Sequence, residues 1–332
     1  MTVPAPDEID VLLLAAGFAL RLRPLTEEVP KPLLPVCGLA MLDGHLVRLR
    51  ELPSPRVRRA VVNGHHLAGQ VRAHLEQVQP SLAGEDRGWI VFSPEAEILG
   101  TGGAISNAAH HLRSDPFVVL NADSLFAAPV AEAVAYHRGA GFTATMVVTA
   151  SDFWPNVLVD GGTVTAILPG ERDPRGYTFT GLHVVSSRLL AMLPAGFHDI
   201  RDTYKLLAKI GQLGAFVWPP AGARTLPFLD IGTPAHYLEA HRICAGPESP
   251  LAAVLQSASR MGLIQPGRSE DGFIHARARV GTGATVRESI VLWDAVIGPG
   301  VAVERSIVGP GVQVAEDLVG MLVTARGRRE IA

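Results

Sequence analysis

Leu14-Ala-Ala-Gly-Phe-Ala-Leu-Arg-Leu-Arg-Pro-Leu-Thr-Glu-Glu-Val-Pro-Lys-Pro-Leu-Leu-Pro-Val36 follows directly on the aliphatic run Val11–Leu14. A short apolar run that breaks into small residues reads as a strand feeding a loop. In an open α/β sheet such a loop lies at the carboxyl edge of the strands, where ligands bind. Ala15, Ala16 and Gly17 let backbone amides come close to a base or a phosphate, and Arg21 and Lys31 supply positive charge for a polyphosphate. The chain has only three lysines, Lys31, Lys205 and Lys209. A compact ammonium held between Pro30 and Pro32, in a chain that otherwise uses arginine, points to a specific charge partner. The competing reading is a solvated turn.

Outward from this segment, to about residue 240, short aliphatic runs alternate with amphipathic stretches, the pattern of a mainly parallel sheet flanked by helices. Strands are expected at Val11–Leu14, Arg59–Val62, Trp89–Phe92, Phe117–Leu120 and Ala144–Thr149, and helices at Leu42–Glu51 and Leu67–Val78. Gly246-Pro247, Ser249-Pro250 and Pro266-Gly267, around a short apolar helix-like piece, mark residues 245–272 as a linker. Beyond it the chain repeats itself: Val280-Gly-Thr-Gly-Ala-Thr-Val-Arg-Glu-Ser-Ile-Val lies over Ile297-Gly-Pro-Gly-Val-Ala-Val-Glu-Arg-Ser-Ile-Val at an offset of 17 residues. Aliphatic residues recur every five or six positions from Ile274 to Val314, as in hexapeptide-repeat parallel β-helices. The expectation is therefore an α/β, Rossmann-like domain over 1–244, a linker over 245–272 and a short left-handed parallel β-helix over 273–332. An antiparallel hairpin stack is the rival for the last part.

Composition bounds the rest. The 332 residues suit two domains, with 48% hydrophobic and 18% charged residues, 34 glycines and 25 prolines, as in an ordered, turn-rich globular protein. A formal net charge of −3 with no basic run argues against a nucleic-acid partner. Cys37 and Cys244 cannot form a disulfide framework and make no CxxC pair. No apolar run reaches the roughly 18 residues that a membrane span needs. Ahead of Val11–Leu20 stand Asp7, Glu8 and Asp10 without a Lys or Arg, unlike a signal peptide. A cytoplasmic location without membrane partners is expected.

Two further segments end strands in chemistry-bearing residues. Ser93-Pro-Glu-Ala-Glu-Ile-Leu-Gly-Thr-Gly-Gly-Ala-Ile105 puts Gly100, Thr101, Gly102 and Gly103 just after a strand, which by itself is a glycine-rich turn. Phe117-Val-Val-Leu-Asn-Ala-Asp123 delivers a carboxylate at a strand end, where a hard oxygen ligand can meet magnesium and substrate phosphates. Asp230, in Phe228-Leu-Asp-Ile-Gly-Thr-Pro234, precedes an amphipathic helix. Either aspartate could instead cap the following helix.

The opening segment resembles the signature LAAGxGTRLxPLTxxxPKPLxPV of the nucleoside-diphosphate-sugar pyrophosphorylases, the sugar-1-phosphate nucleotidyltransferases. Leu14, Ala15, Ala16, Gly17, Arg21, Leu22, Pro24, Leu25, Thr26, Pro30, Lys31, Pro32, Leu33, Pro35 and Val36 carry the match. Ala19 replaces the second glycine and Leu20 the Thr or Ser, which strains the loop if that position needs a positive φ and removes a hydroxyl from the phosphates. The 93–105 segment is similar to the family's LGTGGA base-pocket element, and Asp123 and Asp230 stand in its two metal-carboxylate elements, which implies Mg2+. Tyr177-Thr-Phe-Thr-Gly-Leu-His183 looks like the strand beside the sugar, making Glu97, Asn156, Thr180 and Gly181 sugar candidates, with Glu95 beside them.

The resemblance runs from Val11 to about Val314. It implies in-line attack of a sugar 1-phosphate on the α-phosphorus of a nucleoside triphosphate, with Arg21, Lys31 and Asp123 as catalytic residues. The Glu-Lys-Pro element that grips the sugar phosphate in many relatives is replaced by Ile167-Leu-Pro-Gly-Glu-Arg172, leaving Arg172 or Arg175 as imperfect substitutes. The attached repeat resembles guanylyltransferases for mannose 1-phosphate and adenylyltransferases for glucose 1-phosphate, and guanylyl transfer to a mannose 1-phosphate-like sugar is the preferred expectation. The missing lysine favours uridylyl transfer to an amino sugar, and the changes at Ala19 and Leu20 favour a non-catalytic, sugar-nucleotide-binding regulatory paralogue. Acyl transfer by the repeat would rest on His275 alone, and His65 and His66 are assigned no chemistry. Open coils at the end of the repeat imply a homo-oligomer.

Overall fold

The computed structural model describes residues 7–84, 86, 88–125, 129–150, 154–170, 172–219, 229–246, 249, 251–268 and 272–331. Phe228, Glu171, Pro247 and Pro250 of the motifs above lie outside these residues. The chain packs as two compact units, the first made of Met1–Gly17, Arg48–Ala68 and Arg72–Phe228 and the second of Phe18–Val47, Gly69–Val71 and Leu229–Ala332. The signature segment passes from one unit into the other after Gly17.

The first unit is built on nine strands: β1 (Glu8–Leu14), β2 (Arg56–Gly64), β3 (Ile90–Pro94), β4 (Phe117–Asn121), β5 (Ala144–Thr149), β6 (Val157–Asp160), β7 (Thr163–Ile167), β8 (Thr178–Val185) and β9 (Leu213–Val217). They are ordered β3-β2-β1-β4-β8-β5-β9-β7-β6. The first four are parallel, and β8 enters antiparallel between β4 and β5. Winding reverses between β1 and β4, which creates the crevice at their carboxyl ends that α/β sheets use for ligands. Ile9, Val11, Leu12 and Leu13 of β1 are all fully buried, so a strand covered on both faces reads as a continuous aliphatic run. Helix α1 (Met41–Arg50) belongs mostly to the second unit, and α2 (Ala68–Ala83), α3 (Gly100–Ala108), α4 (Val130–Ala140) and α5 (Ile200–Lys209) complete the α/β pattern of the first. Every expected strand and helix is present, with ends shifted by a few residues; α2 runs on through Pro80 to Ala83.

The second unit carries α6 (Pro234–Ala245), α7 (Ala252–Arg260) and a stack of short strands. Helix α7 falls inside the 245–272 stretch read as a linker. Three ladders run side by side along the repeat, all parallel: Arg279–Val280 on Val296–Ile297 on Gln313–Val314, Thr285–Arg287 on Ala302–Glu304 on Leu318–Val319, and Gly272–His275 on Ser289–Val291 on Ile307–Val308 on Met321–Thr324. Val280 pairs with Ile297 and Thr285 with Ala302, the 17-residue offset seen in the sequence. Parallel pairing rules out the hairpin stack and gives a β-helix-like domain, whose interior is Val291, Ile297, Val303, Val308 and Val314. Antiparallel strands of the same chain, Gly267–Arg268 and Gly327–Glu330, close the two ends of the third ladder. Among the described residues no helix is long and apolar enough to cross a membrane.

Candidate active site

In the first unit the crevice between β1 and β4 is organised by one buried asparagine. Leu14 is in register with Asn121, and the Ala122 amide donates to the Leu14 carbonyl at 3.1 Å. Asp123 therefore leaves β4 beside the point where Ala15 leaves β1. Asn63, at the end of β2, accepts the Ala15 amide on Oδ1 at 2.6 Å and donates from Nδ2 to Glu95 Oε1 at 2.6 Å. Glu95 in turn accepts the Leu99 amide on Oε2 at 3.1 Å. Sequence reading did not single out Asn63, although it stands at the carboxyl edge of β2 in Val62-Asn-Gly. Glu95, considered above for hydroxyl recognition, is buried and braces the two loops.

Gly100–Gly103 open α3. The Gly102 and Gly103 amides donate to the His198 carbonyl at 2.9 and 3.3 Å. A Cβ at Gly103 would lie 2.2 Å from the Gly196 carbonyl oxygen, and one at Gly102 would lie 2.4 Å from His198 Cδ2. These two glycines admit the 196–198 segment against the helix. Gly17 differs, since a Cβ there would meet nothing within 4 Å.

The sugar candidates are spread along the sheet. Gly181 takes φ +82 against Asn121, whose Cβ would be 2.8 Å from an added side chain. The Thr180 hydroxyl is buried and donates to the Val147 carbonyl at 2.8 Å, so sheet pairing takes up the group that sequence reading offered to a sugar. Asn156 donates to the Leu168 carbonyl at 3.3 Å, and Glu97 is exposed. Arg172 lies over the Trp154 ring at 4.5 Å, and Arg175 pairs with Asp173 at 2.7 Å.

The second unit gathers the charged groups. Asp230 Oδ1 accepts from Lys31 Nζ at 3.0 Å and Asp230 Oδ2 accepts from Arg21 Nη2 at 3.1 Å. The Lys31 side chain is only 4% exposed while that of Arg21 is 63% exposed, so Lys31 is no solvated turn residue. One carboxylate facing two cations leaves the trio net positive, which suits a polyanion. Gly232 makes room for it: an added Cβ would stand 2.4 Å from Arg21 Nη2. Helix α6 is capped not by Asp230 but by Thr233, whose Oγ1 accepts the His236 amide at 3.2 Å, with Pro234 at the first helical position. Likewise α4, the helix after Asp123, starts only at Val130 behind Pro129. The capping alternative falls for both aspartates.

Beyond Lys31, the Pro35 carbonyl is held by Tyr237 Oη at 2.7 Å and His241 Nε2 at 2.9 Å. Burial lowers His241 to about 4 and pushes the Cys37 thiol up to about 11, so both are neutral near pH 7. His275 Nδ1 accepts the Arg277 amide at 3.1 Å within the coils. Magnesium uses one or two protein carboxylates and completes its octahedron with water and substrate phosphate oxygens. Asp123 and Asp230 are oxygen donors of that kind, and each Asp230 oxygen keeps lone-pair capacity beyond its one cation.

Comparison with known proteins adds the following. Residues 10–153 match the family described as Nucleotidyl transferase. The chain is 33% identical to the N-acetylmuramate alpha-1-phosphate uridylyltransferase of Caulobacter vibrioides over 217 residues, which cover 61% of this chain and 85% of that protein. It is 27% identical to the mannose-1-phosphate guanylyltransferase of Mycobacterium tuberculosis over 309 residues, covering 90% of this chain and 82% of the relative. The crystal structure of HddC from Yersinia pseudotuberculosis shares the fold, with a TM-score of 0.58 at 22% identity over 70% of this chain and 98% of that one.

Proposed function

This chain belongs to the nucleotidyl transferase family, and from that premise we propose that it transfers a guanylyl group from GTP to a mannose 1-phosphate-like sugar, releasing pyrophosphate. The observation that carries the reading is the Asp230 carboxylate bracketed by Lys31 and Arg21, with Gly232 kept bare beside it. Phosphoryl-type transfer asks for alignment and charge neutralisation more than for covalent help. A sugar 1-phosphate oxygen attacks the α-phosphorus in line; its new P–O bond forms as the bond to the β-phosphate oxygen breaks, and no covalent enzyme intermediate arises.

Lys31 holds the α-phosphate and Arg21 the departing pyrophosphate, each exchanging its bond to Asp230 for phosphate oxygens. Asp230 in the second unit and Asp123 in the first would each offer magnesium an oxygen ligand, and the ion would supply neutralisation of the phosphate charge. The base lies against Leu14–Gly17 and Gly100–Thr101, with Gly102 and Gly103 supporting that loop from behind; Gly181, Glu97 and Asn156 remain the proposed sugar side. Guanylyl transfer is favoured because the likeness to the guanylyltransferase extends over 90% of the chain, whereas that to the uridylyltransferase spans 61%.

One observation favours a non-catalytic, nucleotide-sugar-binding paralogue: Ala19 occupies φ +48 without being glycine, and Leu20 next to it is 59% exposed and has no hydroxyl. Pyrophosphate release, assayed with magnesium for each common triphosphate against a panel of sugar 1-phosphates, separates the readings. The expected outcome is turnover greatest with GTP and mannose 1-phosphate, reduced about 100-fold or more in Asp123→Asn. Silence across the panel with tight nucleotide-sugar binding would establish the paralogue, and wild-type turnover in Asp123→Asn would remove that residue from the mechanism.

A further inference from the structure

After Thr324 the chain turns back as the strand Gly327–Glu330, antiparallel to Met321–Thr324 with Arg329 opposite Leu322. Every residue of the returning strand is exposed, so Arg329 has no core role. Its guanidinium reaches the loop that carries Arg21. Arg329 Nη1 donates to the Arg21 carbonyl at 2.8 Å and, more loosely, to the Arg23 carbonyl at 3.4 Å. Three residues earlier, the Arg326 amide donates to Glu28 Oε1 at 3.0 Å. The hairpin therefore grips the Arg21–Glu28 segment at both ends.

That segment is otherwise anchored by the buried side chains of Leu22, Leu25 and Thr26, with the Thr26 hydroxyl donating to the Ala19 carbonyl at 3.0 Å, and the stretch around Arg21 itself is the more exposed part. It begins at the left-handed Ala19, continues as the single turn Leu20–Leu22, and buries only Leu22 within that turn. A short 3-10 turn leaves its last carbonyls without partners in the turn itself. Arg329 provides for one of them, that of Arg21, and for the Arg23 carbonyl just beyond the turn. A guanidinium suits the task because its donors form a rigid, always charged fork.

We infer that Arg329 is a positioning residue for triphosphate binding: by fixing the backbone on both sides of Leu22 it presents the Arg21 side chain to the phosphates in one place. This rests on the reading of Arg21 as a phosphate-binding group. It also gives the last strand of the β-helix-like domain a part in the nucleotide site.

The full chain tests it, with two readouts. Arg329→Ala should weaken GTP binding, measured by calorimetry without sugar phosphate, and raise the GTP KM by roughly tenfold, as loss of a charge-assisted hydrogen bond does. The sugar 1-phosphate KM should stay within about twofold. Arg329→Lys, which keeps the charge and a donor, should recover part of the loss. Arg328→Ala removes the neighbouring guanidinium, which pairs with Glu316 instead of the loop, and should leave GTP binding unchanged. Should Arg329→Ala not fold, Arg329→Gln carries the same expectation. Unchanged GTP affinity at position 329, or an equal loss in Arg328→Ala, would overturn the inference. A wild-type chain that binds GTP without turnover defeats the catalytic reading alone, because the Arg329 comparison is then still decided by binding.

Discussion

Ala19 shows how far a single residue can be read. Its replacement of a signature glycine implies strain only if the position needs a positive φ, and the structure places it at φ +48, ψ +51. The left-handed region costs an L-residue about 1–2 kcal/mol. Ala19→Gly should therefore stabilise the protein by about 1 kcal/mol, after allowing for the extra freedom glycine gains in the unfolded chain. A urea midpoint identical to wild type would show that the loop holds this conformation without strain. Lys31 was legible for a different reason: the scarcity of lysine and its flanking prolines marked an ammonium with a partner, although not which partner. Thr180 was not legible, because a hydroxyl on a strand looks the same in sequence whether it faces a ligand or a neighbouring carbonyl, and here it donates to Val147.

At the scale of elements, repeated Ser-Ile-Val triplets carry the coil geometry. The Ser289 hydroxyl donates to the Arg287 carbonyl at 2.6 Å and accepts the Ser306 amide at 3.0 Å; the Ser306 hydroxyl donates to Glu304 at 2.7 Å and accepts the Met321 amide at 3.0 Å. Both serines are fully buried, so each corner of the ladder is tied to the next by a hydroxyl that water cannot replace. Ser306→Ala leaves the Met321 amide unpaired and should destabilise the second unit by about 1–3 kcal/mol. Loss of amide-exchange protection confined to the coils would show it; protection like that of wild type would refute it. The aliphatic spacing disclosed the parallel coils, because inward side chains must recur at each turn. It did not disclose the returning strand Gly327–Glu330, whose exposed, charged residues carry no periodic apolar signal.

For the whole molecule, two fully buried histidines set an acid limit. Burial holds His183 near 3 and His241 near 4, against about 6.5 in an unfolded chain. The unfolded state thus takes up protons first as pH falls. The stability these residues confer is complete above about pH 6.5 and declines below it, by up to about 1.4 kcal/mol per pH unit for each histidine, until their folded values are reached. The melting temperature should drop steadily from pH 7 to pH 5, and a flat profile would contradict the assignment. Sequence alone determined the α/β class, the strand ends from which Ala15 and Asp123 depart, the 17-residue coil and the identity of the charged residues, since these follow from local periodicity and from residues with few alternative uses. Tertiary structure decided what each polar group does. That Lys31 and Arg21 share Asp230, that Asn63 ties Ala15 to Glu95, and that Arg329 reaches back to the Arg21 loop all depend on residues far apart in the chain, and only folding brings their donors to between 2.6 and 3.4 Å from their acceptors.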